Sequence, residues 1–440
     1  MDKRHIILLT CMVAHLFTAM LYSMQAPFLP VEGSLKGLTP TQFSLPFAVF
    51  EFTGLVVSPF SSIFIRDIGS KYTACLFLIL SGSASIIFGF LNYIEDGNKF
   101  LILACCLRVC EATGTLTYMV TAFAIINTIY SENPQAKASI LLTAFFVGMS
   151  LGPVLGGLLY SIGGFFLPFV TIAPVVLIAS CILMYVLPNQ MESGSQEDGA
   201  APSMMKLLSV PGIWVGMLSV GVSALCQGYL QTTLEPHFRY FHLAASTVSL
   251  LFAISPGMNF IGSSVNTFLM DKGANTRVLM MAGNVINIVS FSFLGPIPIG
   301  EDPHPVFWMA ILGLFINGLA AAVMYTAGFA DPIQVAHYHG FPSDEATNGV
   351  ISSATMMAVT TGAFVGPLMG GYLFQHLGMH YGVLVVIGAN ALSLVFMYLL
   401  ILWDRRHLKR ISPEERQPLI KPKEVRRRRL TTSISRPTIL

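Results

Sequence analysis

Charge is what this sequence has least of. Of its 440 residues, 24 are Lys or Arg and 22 are Asp or Glu, 10% in all, against about 25% in an ordinary soluble domain. Residues 404–440 alone carry 16 of those charges, leaving 30 for the first 403 residues. A water-facing surface cannot be assembled from so few, which excludes a soluble globular protein. Other absences narrow the field. The seven cysteines (Cys11, Cys75, Cys105, Cys106, Cys110, Cys181 and Cys226) all lie inside apolar runs; they fit no zinc spacing and no stapled loop, and read as small core residues. No permitted Asn-x-Ser/Thr acceptor and no G-x-x-x-x-G-K-[ST] phosphate loop occur, so nothing points to ATP as the driver. No cofactor motif or metal-ligand set stands out, and nothing calls for a nucleic-acid partner.

Long apolar runs are abundant instead. A window of about 19 residues gives twelve candidate membrane spans, at 6–29, 41–64, 73–93, 100–126, 138–160, 165–187, 212–234, 246–268, 277–299, 306–330, 346–373 and 382–403. The first follows Asp2-Lys3-Arg4-His5 and is too long for a signal-peptide core, so it reads as a retained span. The expected fold is therefore an all-α membrane protein of twelve transmembrane helices. Its parts are a six-helix bundle over 1–187, a polar linker over 188–211, a second six-helix bundle over 212–403 and a basic tail over 404–440. Outside the tail, eight basic residues fall in segments on one side of the spans and three on the other. The excess favours both termini in the cytoplasm.

The two halves repeat each other. Span five contains Gly148-x-x-x-Gly152-Pro153-x-x-Gly156-Gly157, and span eleven contains Gly362-x-x-x-Gly366-Pro367-x-x-Gly370-Gly371. Arg66-Asp67, after span two, is matched by Asp271-Lys272 after span eight. Six spans separate the copies, so they share one orientation, as in transporters built from parallel six-span halves. Small residues four apart let helices approach closely, and proline bends them; a hinge or seal between bundles would use both. Gly148-Met149-Ser150-Leu151-Gly152 also fits the hydrolase elbow G-x-S-x-G, but that motif needs a strand–turn–helix setting, and this copy lies inside an apolar helix.

Ionisable groups inside spans are costly, roughly 2.5–3.5 kcal/mol each on insertion scales, and usually face a cavity or a partner. At about 1.5 Å per residue, Glu51 lies about 15 Å into span two, and Arg108 and Glu111 about 12 and 16 Å into span four, near the middle of a core of about 30 Å. Arg108 and Glu111 are three apart and can pair, either as a structural ion pair or as part of a site. That leaves Glu51 as the carboxylate without a local partner and the first candidate for proton coupling or cation binding. Glu235, at the far end of span seven, suits a mouth that attracts cations, or merely a helix end before Pro236. Asp331-Pro332 reads as another helix end. His15, Tyr22 and Gln25 of span one and Gln231 of span seven are candidate cavity residues, His15 being as readily a packed core residue.

The sequence resembles the major facilitator superfamily, whose proton antiporters carry the glycine–proline motif in span five. The superfamily's first-loop signature appears as Ser62-Ile63-Phe64-Ile65-Arg66-Asp67-Ile68-Gly69-Ser70-Lys71, with Ser62 in place of glycine and the acid–base order inverted; Asp271-Lys272 keeps that order. Within the superfamily the chain is similar to the vesicular amine transporters (solute carrier family 18), above all their polyamine-transporting branch. The similarity is carried by Ala26-Pro27-Phe28-Leu29-Pro30, Phe50-Glu51, Leu234-Glu235-Pro236, Leu294-Gly295-Pro296-Ile297-Pro298 and Glu414-Glu415-Arg416-Gln417-Pro418-Leu419-Ile420. Monoamine-transporting members place aspartates in spans one and eleven; here span one has none and Met356 stands at the matching place in span eleven, which disfavours a monoamine. The resemblance implies a proton-coupled antiporter of organic cations, polyamines such as spermine and spermidine, by alternating access. In the tail, Glu415-x-x-x-Leu419-Ile420 resembles an acidic dileucine sorting signal, which implies adaptor-protein binding and a secretory-vesicle or endolysosomal membrane. The Arg426–Arg429 run favours anionic lipid. A plasma-membrane exporter of cationic drugs and a non-transporting receptor or scaffold are the alternatives.

Overall fold

The computed structural model describes residues 3–130, 134–188, 204–295, 306–342 and 345–408. Most of the linker, the loop over 296–305 with the Pro296 and Pro298 of its motif, and the tail with Glu415, Leu419 and Ile420 lie outside the described residues. Spans one to six are Lys3–Ser23, Pro40–Val57, Ser70–Gly89, Gly97–Ile129, Pro134–Gly163 and Phe166–Val186. Spans seven to ten are Pro211–Phe238, Ala245–Asp271, Thr276–Leu294 and Phe307–Tyr338. A final helix, Glu345–Leu408, has 64 residues, about three times what a core of about 30 Å requires. Gly378, at φ 70° and ψ −178°, turns the backbone through a conformation that costs glycine little, and so divides the helix into spans eleven and twelve.

Local chemistry sets several boundaries. Span two starts on a capping box in which Thr39 accepts from the backbone of Gln42 while the Gln42 side chain accepts from Thr39 N–H, with Pro40 in the first turn. Asp96 and Asn275 cap spans four and nine. Four expected boundaries are corrected. Span two stops at Val57 rather than 64, where Ser58–Phe60 forms a tighter turn around Pro59 before the short helix Ser61–Ile68. Span one stops at Ser23 rather than running to Leu29: Pro27 offers no N–H and biases Ala26 away from helix, and after a turn a short helix, Leu29–Leu35, covers the bundle end. Span seven continues through Pro236 to Phe238. Span ten continues through Pro332 to Tyr338, because the proline ring rests on Gly216 of span seven, where a Cβ would lie 2.5 Å from it.

The spans form two six-helix bundles. In the first, span one packs on spans five and six, and span four on spans two and three; in the second, span seven packs on spans ten and eleven, and span ten on spans eight and nine. The bundles meet mainly along two helix pairs, two with eleven and five with eight. Residues 3 and 408 lie at one face of the assembly, called here the terminal face, and the turns at Gly37, Gly164 and Gly378 lie at the opposite face. Contacts between bundles run from the middle to the opposite face: Phe52 meets Phe364 at 5.3 Å between ring centroids, and Thr41 N–H donates to Gln375 Oε1 at 3.2 Å.

Candidate functional site

The buried charges of the first bundle come together where spans one, two and four converge. Arg108 is fully buried, donates from Nη1 to Glu111 Oε2 at 3.0 Å and from Nε to the Pro46 carbonyl at 3.3 Å. Its guanidinium lies over the rings of Phe50, Tyr22 and Phe47, at 4.6, 5.7 and 5.9 Å from their centroids. Aromatic faces attract the cation and shield it from other partners. The expected i,i+3 pair is thus present, and its two charges balance. Among the described residues, Arg108 Nη2 and Glu111 Oε1 are buried without a well-formed hydrogen bond, and Gln25 and Ser85 lie beside Glu111.

Glu51 accepts a hydrogen bond from the Tyr22 hydroxyl at 2.6 Å. The carboxylate expected to lack a local partner finds a distant one: a neutral phenol from span one, with Arg108 acting on it as a nearby charge. Gln231 approaches the same Tyr22 hydroxyl from span seven, and Tyr325 of span ten is an electrostatic neighbour of Glu51. Tyr22, Gln25, Glu51, Arg108 and Glu111 therefore share one region of the first bundle, and Gln231 and Tyr325 reach its Tyr22–Glu51 edge from the second.

Glu235 does not join them. It is 4% exposed and is held in a fork by Arg239, with Nε to Oε1 at 2.8 Å and Nη2 to Oε2 at 2.7 Å. The same guanidinium donates to Ser34 Oγ at 3.0 Å and to the Pro30 carbonyl at 2.9 Å, so it ties span seven to the short helix of the other bundle. The Glu235 carboxylate is thus paired with Arg239 and takes part in a link between the bundles. His15 lies in the core, its Nδ1 against the Cys11 carbonyl at 2.9 Å and Tyr118 Oη at 3.2 Å.

The glycine–proline motifs have the same wiring in both bundles. A Cβ on Gly148 or Gly152 would strike span one at Leu16 or Ser23, and one on Gly156 would strike Met24 just past its end; one on Gly362, Gly366 or Gly370 would strike span seven at Gly221, Leu225 or Thr232. The last glycine of each motif faces the other bundle: Gly157 abuts Ser249 of span eight, and Gly371 abuts Ser44 and Pro40 of span two. Pro367 also rests on Gly228; Pro153 lies within span five as expected. Of the loop motifs, Arg66 and Asp67 pair with each other at 2.9 Å, exposed, at the end of the short helix Ser61–Ile68 that connects spans two and three. Gly69 takes φ 88° between the short helix Ser61–Ile68 and span three, which starts at Ser70 with Lys71 in its first turn. Lys272 lies over the Phe268 ring, next to Asp271 at the end of span eight.

Two clusters were missed. Asp331, read as a helix end, is 2% exposed, accepts from Thr276 Oγ1 at 2.8 Å and pairs with Arg277 at 3.5 Å. Arg277 also pairs with Asp404 at 2.8 Å, and His339 meets Asp404 at 3.0 Å. The second cluster is neutral and joins Gln227, Ser255, Asn287, Asn317 and Asn390. Asparagines inside apolar spans nine (Asn284 and Asn287), ten (Asn317) and twelve (Asn390) were the available signal, since a polar group there needs a partner.

Twelve apolar spans in two bundles, with charges buried between them, define an integral multi-pass membrane transporter rather than an enzyme. The Major Facilitator Superfamily model matches residues 11–354 and 216–438, and the chain belongs to that superfamily. It is 29% identical over 430 residues to the human MFS-type transporter SLC18B1, covering 95% of this chain and 92% of that one. A probable vesicular acetylcholine transporter-B of Danio rerio is 24% identical over 53% of this chain and 48% of its own. The quinolone resistance protein NorA of Staphylococcus aureus is 24% identical over 88% and 94%. Among solved structures, a bacterial homolog to the human lysosomal transporter Spinster superposes with a TM-score of 0.71 at 16% identity, over 94% of this chain and 99% of that one. A mutant of the nucleoside transporter NupG gives 0.70 at 8% identity, over 91% and 100%.

Proposed function

We propose that this transporter exchanges protons for organic cations, with polyamines as the substrate class, across a secretory-vesicle or endolysosomal membrane. The observation that carries the reading is Glu51. Its carboxylate lies between the bundles and takes its hydrogen bond from a phenol, while the neighbouring arginine is balanced by Glu111. Either a proton or an ammonium group neutralises such a carboxylate, and the two compete for it. An unneutralised charge near the middle of the membrane is disfavoured, so the empty anionic form reorients poorly and the two cargoes are exchanged. One pH unit supplies about 1.4 kcal/mol per proton, and 100 mV about 2.3 kcal/mol per charge.

Alternating access is read as rocking of the bundles about this region. The surplus of basic residues on the terminal face supports cytoplasmic termini, and the tail pattern Glu415-x-x-x-Leu419-Ile420 supports adaptor binding and a vesicular address. The similarity to a quinolone resistance protein supports a second reading, export of cationic drugs at the cell surface; the location of the tagged protein separates the two. The test of the first is uptake of labelled spermidine into proteoliposomes with an acidic interior. Uptake abolished by a protonophore is expected, and gradient-independent or absent uptake would contradict it.

A further inference from the structure

The second bundle offers no acidic group to match Glu51 in the region between the bundles among the residues placed there above; it offers a wired chain of amides. Gln227 Nε2 donates to Asn317 Oδ1 at 2.9 Å and to Ser255 Oγ at 3.4 Å. Ser255 Oγ in turn donates to Asn317 Oδ1 at 2.7 Å. Asn317 Nδ2 donates to Asn287 Oδ1 at 3.0 Å, and Asn287 Nδ2 to Asn390 Oδ1 at 3.0 Å. Asn390 Nδ2 ends the chain on the Val386 carbonyl at 2.9 Å. Cys226 Sγ accepts from both Asn287 and Asn390 at 3.2 Å.

That last carbonyl fixes the direction of every amide. A backbone oxygen only accepts, so Asn390 must turn its NH₂ towards Val386 and its oxygen towards Asn287. The same constraint then passes to Asn287, to Asn317 and finally to Gln227. The three asparagines are at most 2% exposed, so reversing the chain would bury facing acceptors, which is costly. Both N–H groups of Gln227 are thereby committed, and its carbonyl oxygen is the atom left over. Donation along a chain also polarises the first amide and strengthens that oxygen as an acceptor. Gln227 is half-buried and shares a helix face with Gln231, four residues on, which approaches Tyr22 across the gap. Gln227 therefore lies on the face of span seven that meets Tyr22, about 6 Å along the helix axis from Gln231.

We propose that Gln227 is a specificity-determining residue that accepts a hydrogen bond from a second nitrogen of a linear diamine or polyamine whose first ammonium sits at Glu51. The assignment rests on the amine reading of Glu51 and adds to it: the first nitrogen is recognised by charge, the second by its N–H donors. Asn317, Asn287 and Asn390 are positioning residues that keep the acceptor turned outward.

Binding of putrescine, n-butylamine and the putrescine derivative trimethylated at both ends to the purified full-length protein tests it. The trimethylated compound keeps both charges but has no N–H donor at either end. Wild-type protein should prefer putrescine over both others by on the order of tenfold, the scale of one charge-assisted hydrogen bond. In Gln227→Met the ratio of putrescine to butylamine affinity should fall to about one, and Asn390→Leu should lower it severalfold. A ratio unchanged in either variant, or a trimethylated compound that binds wild type as tightly as putrescine, would overturn the proposal. The wild-type comparison decides the matter even where a variant fails to fold. Butylamine binding that depends on Glu51 without a putrescine preference overturns this assignment alone; absence of binding by all three amines overturns the reading of Glu51 as well.

Discussion

Gly157 and Gly371 occupy the same place in two copies of one motif, and each abuts a serine of the opposite bundle: Ser249 for the first, Ser44 for the second. The preceding glycines of each copy pack inside their own bundle, on span one and Met24 just past its end or on span seven. One motif thus serves two purposes, close packing within a bundle and close approach between bundles. The two purposes separate by substitution.

Gly152→Leu and Gly366→Leu should act within a bundle. A side chain there overlaps Ser23 or Leu225, and overpacking typically costs about 1–3 kcal/mol. The expected result is a lower melting temperature together with slower turnover. Gly157→Ala should instead hold the bundles apart at the opposite face, slowing turnover with little loss of thermal stability, and Ser249→Gly in the same protein should restore it. Transport rates and melting curves on the same preparations check this; equal destabilisation by Gly157→Ala and Gly152→Leu would contradict the division.

Arg239→Met should destabilise the contact between bundles. It strands the Glu235 carboxylate at 4% exposure and removes the donors to Ser34 and Pro30. Removing one partner of a buried ion pair costs about 3–5 kcal/mol, reduced here because the arginine is itself 42% exposed. Glu235→Gln should be milder than Glu51→Gln in its effect on coupling. Thermal stability and gradient-driven uptake, measured in parallel, distinguish the two sites.

Arg277→Met should be worse tolerated than any substitution at Arg66. Arg277 neutralises both Asp331 and Asp404, which are at most 2% exposed, whereas the Arg66–Asp67 contact is exposed on both sides and worth about 0–1 kcal/mol. Protein yield and melting temperature of the two variants check the order. Equal stability would show that the Arg277 cluster carries no structural load.

The tail is expected to set location. Leu419→Ala combined with Ile420→Ala should move the protein towards the cell surface, seen by surface labelling. An unchanged vesicular distribution would remove the tail's support for the compartment and leave transport untouched.

What could be read from the sequence follows the range of the interactions. Twelve spans were legible because length and apolarity are local properties, and Arg108–Glu111 because three residues is less than one helical turn. The bundle repeat was legible because glycine spacing survives duplication. Glu235–Arg239 lies four apart and was equally local, but reading Glu235 as a mouth residue obscured it. The Tyr22–Glu51 bond joins residues 29 apart on different helices, and the Asn287–Asn390 bond spans 103 residues. Helix rotation and register decide such pairs, and an apolar run carries little information about either. Asp331-Pro332 misled for a different reason: proline ends most helices, but here Gly216 leaves room for its ring.

Glu51→Gln tests the central claim most directly. Glutamine keeps the shape and can still take the Tyr22 hydrogen bond but cannot bind and release a proton. In proteoliposomes with an acidic interior, wild type should accumulate labelled spermidine with a rate that depends on the gradient. Glu51→Gln, reaching the membrane with an unchanged melting profile, should lose that accumulation. Accumulation by Glu51→Gln at the wild-type rate, with the same dependence on pH, would contradict the account and move the search for the coupling group to Glu111.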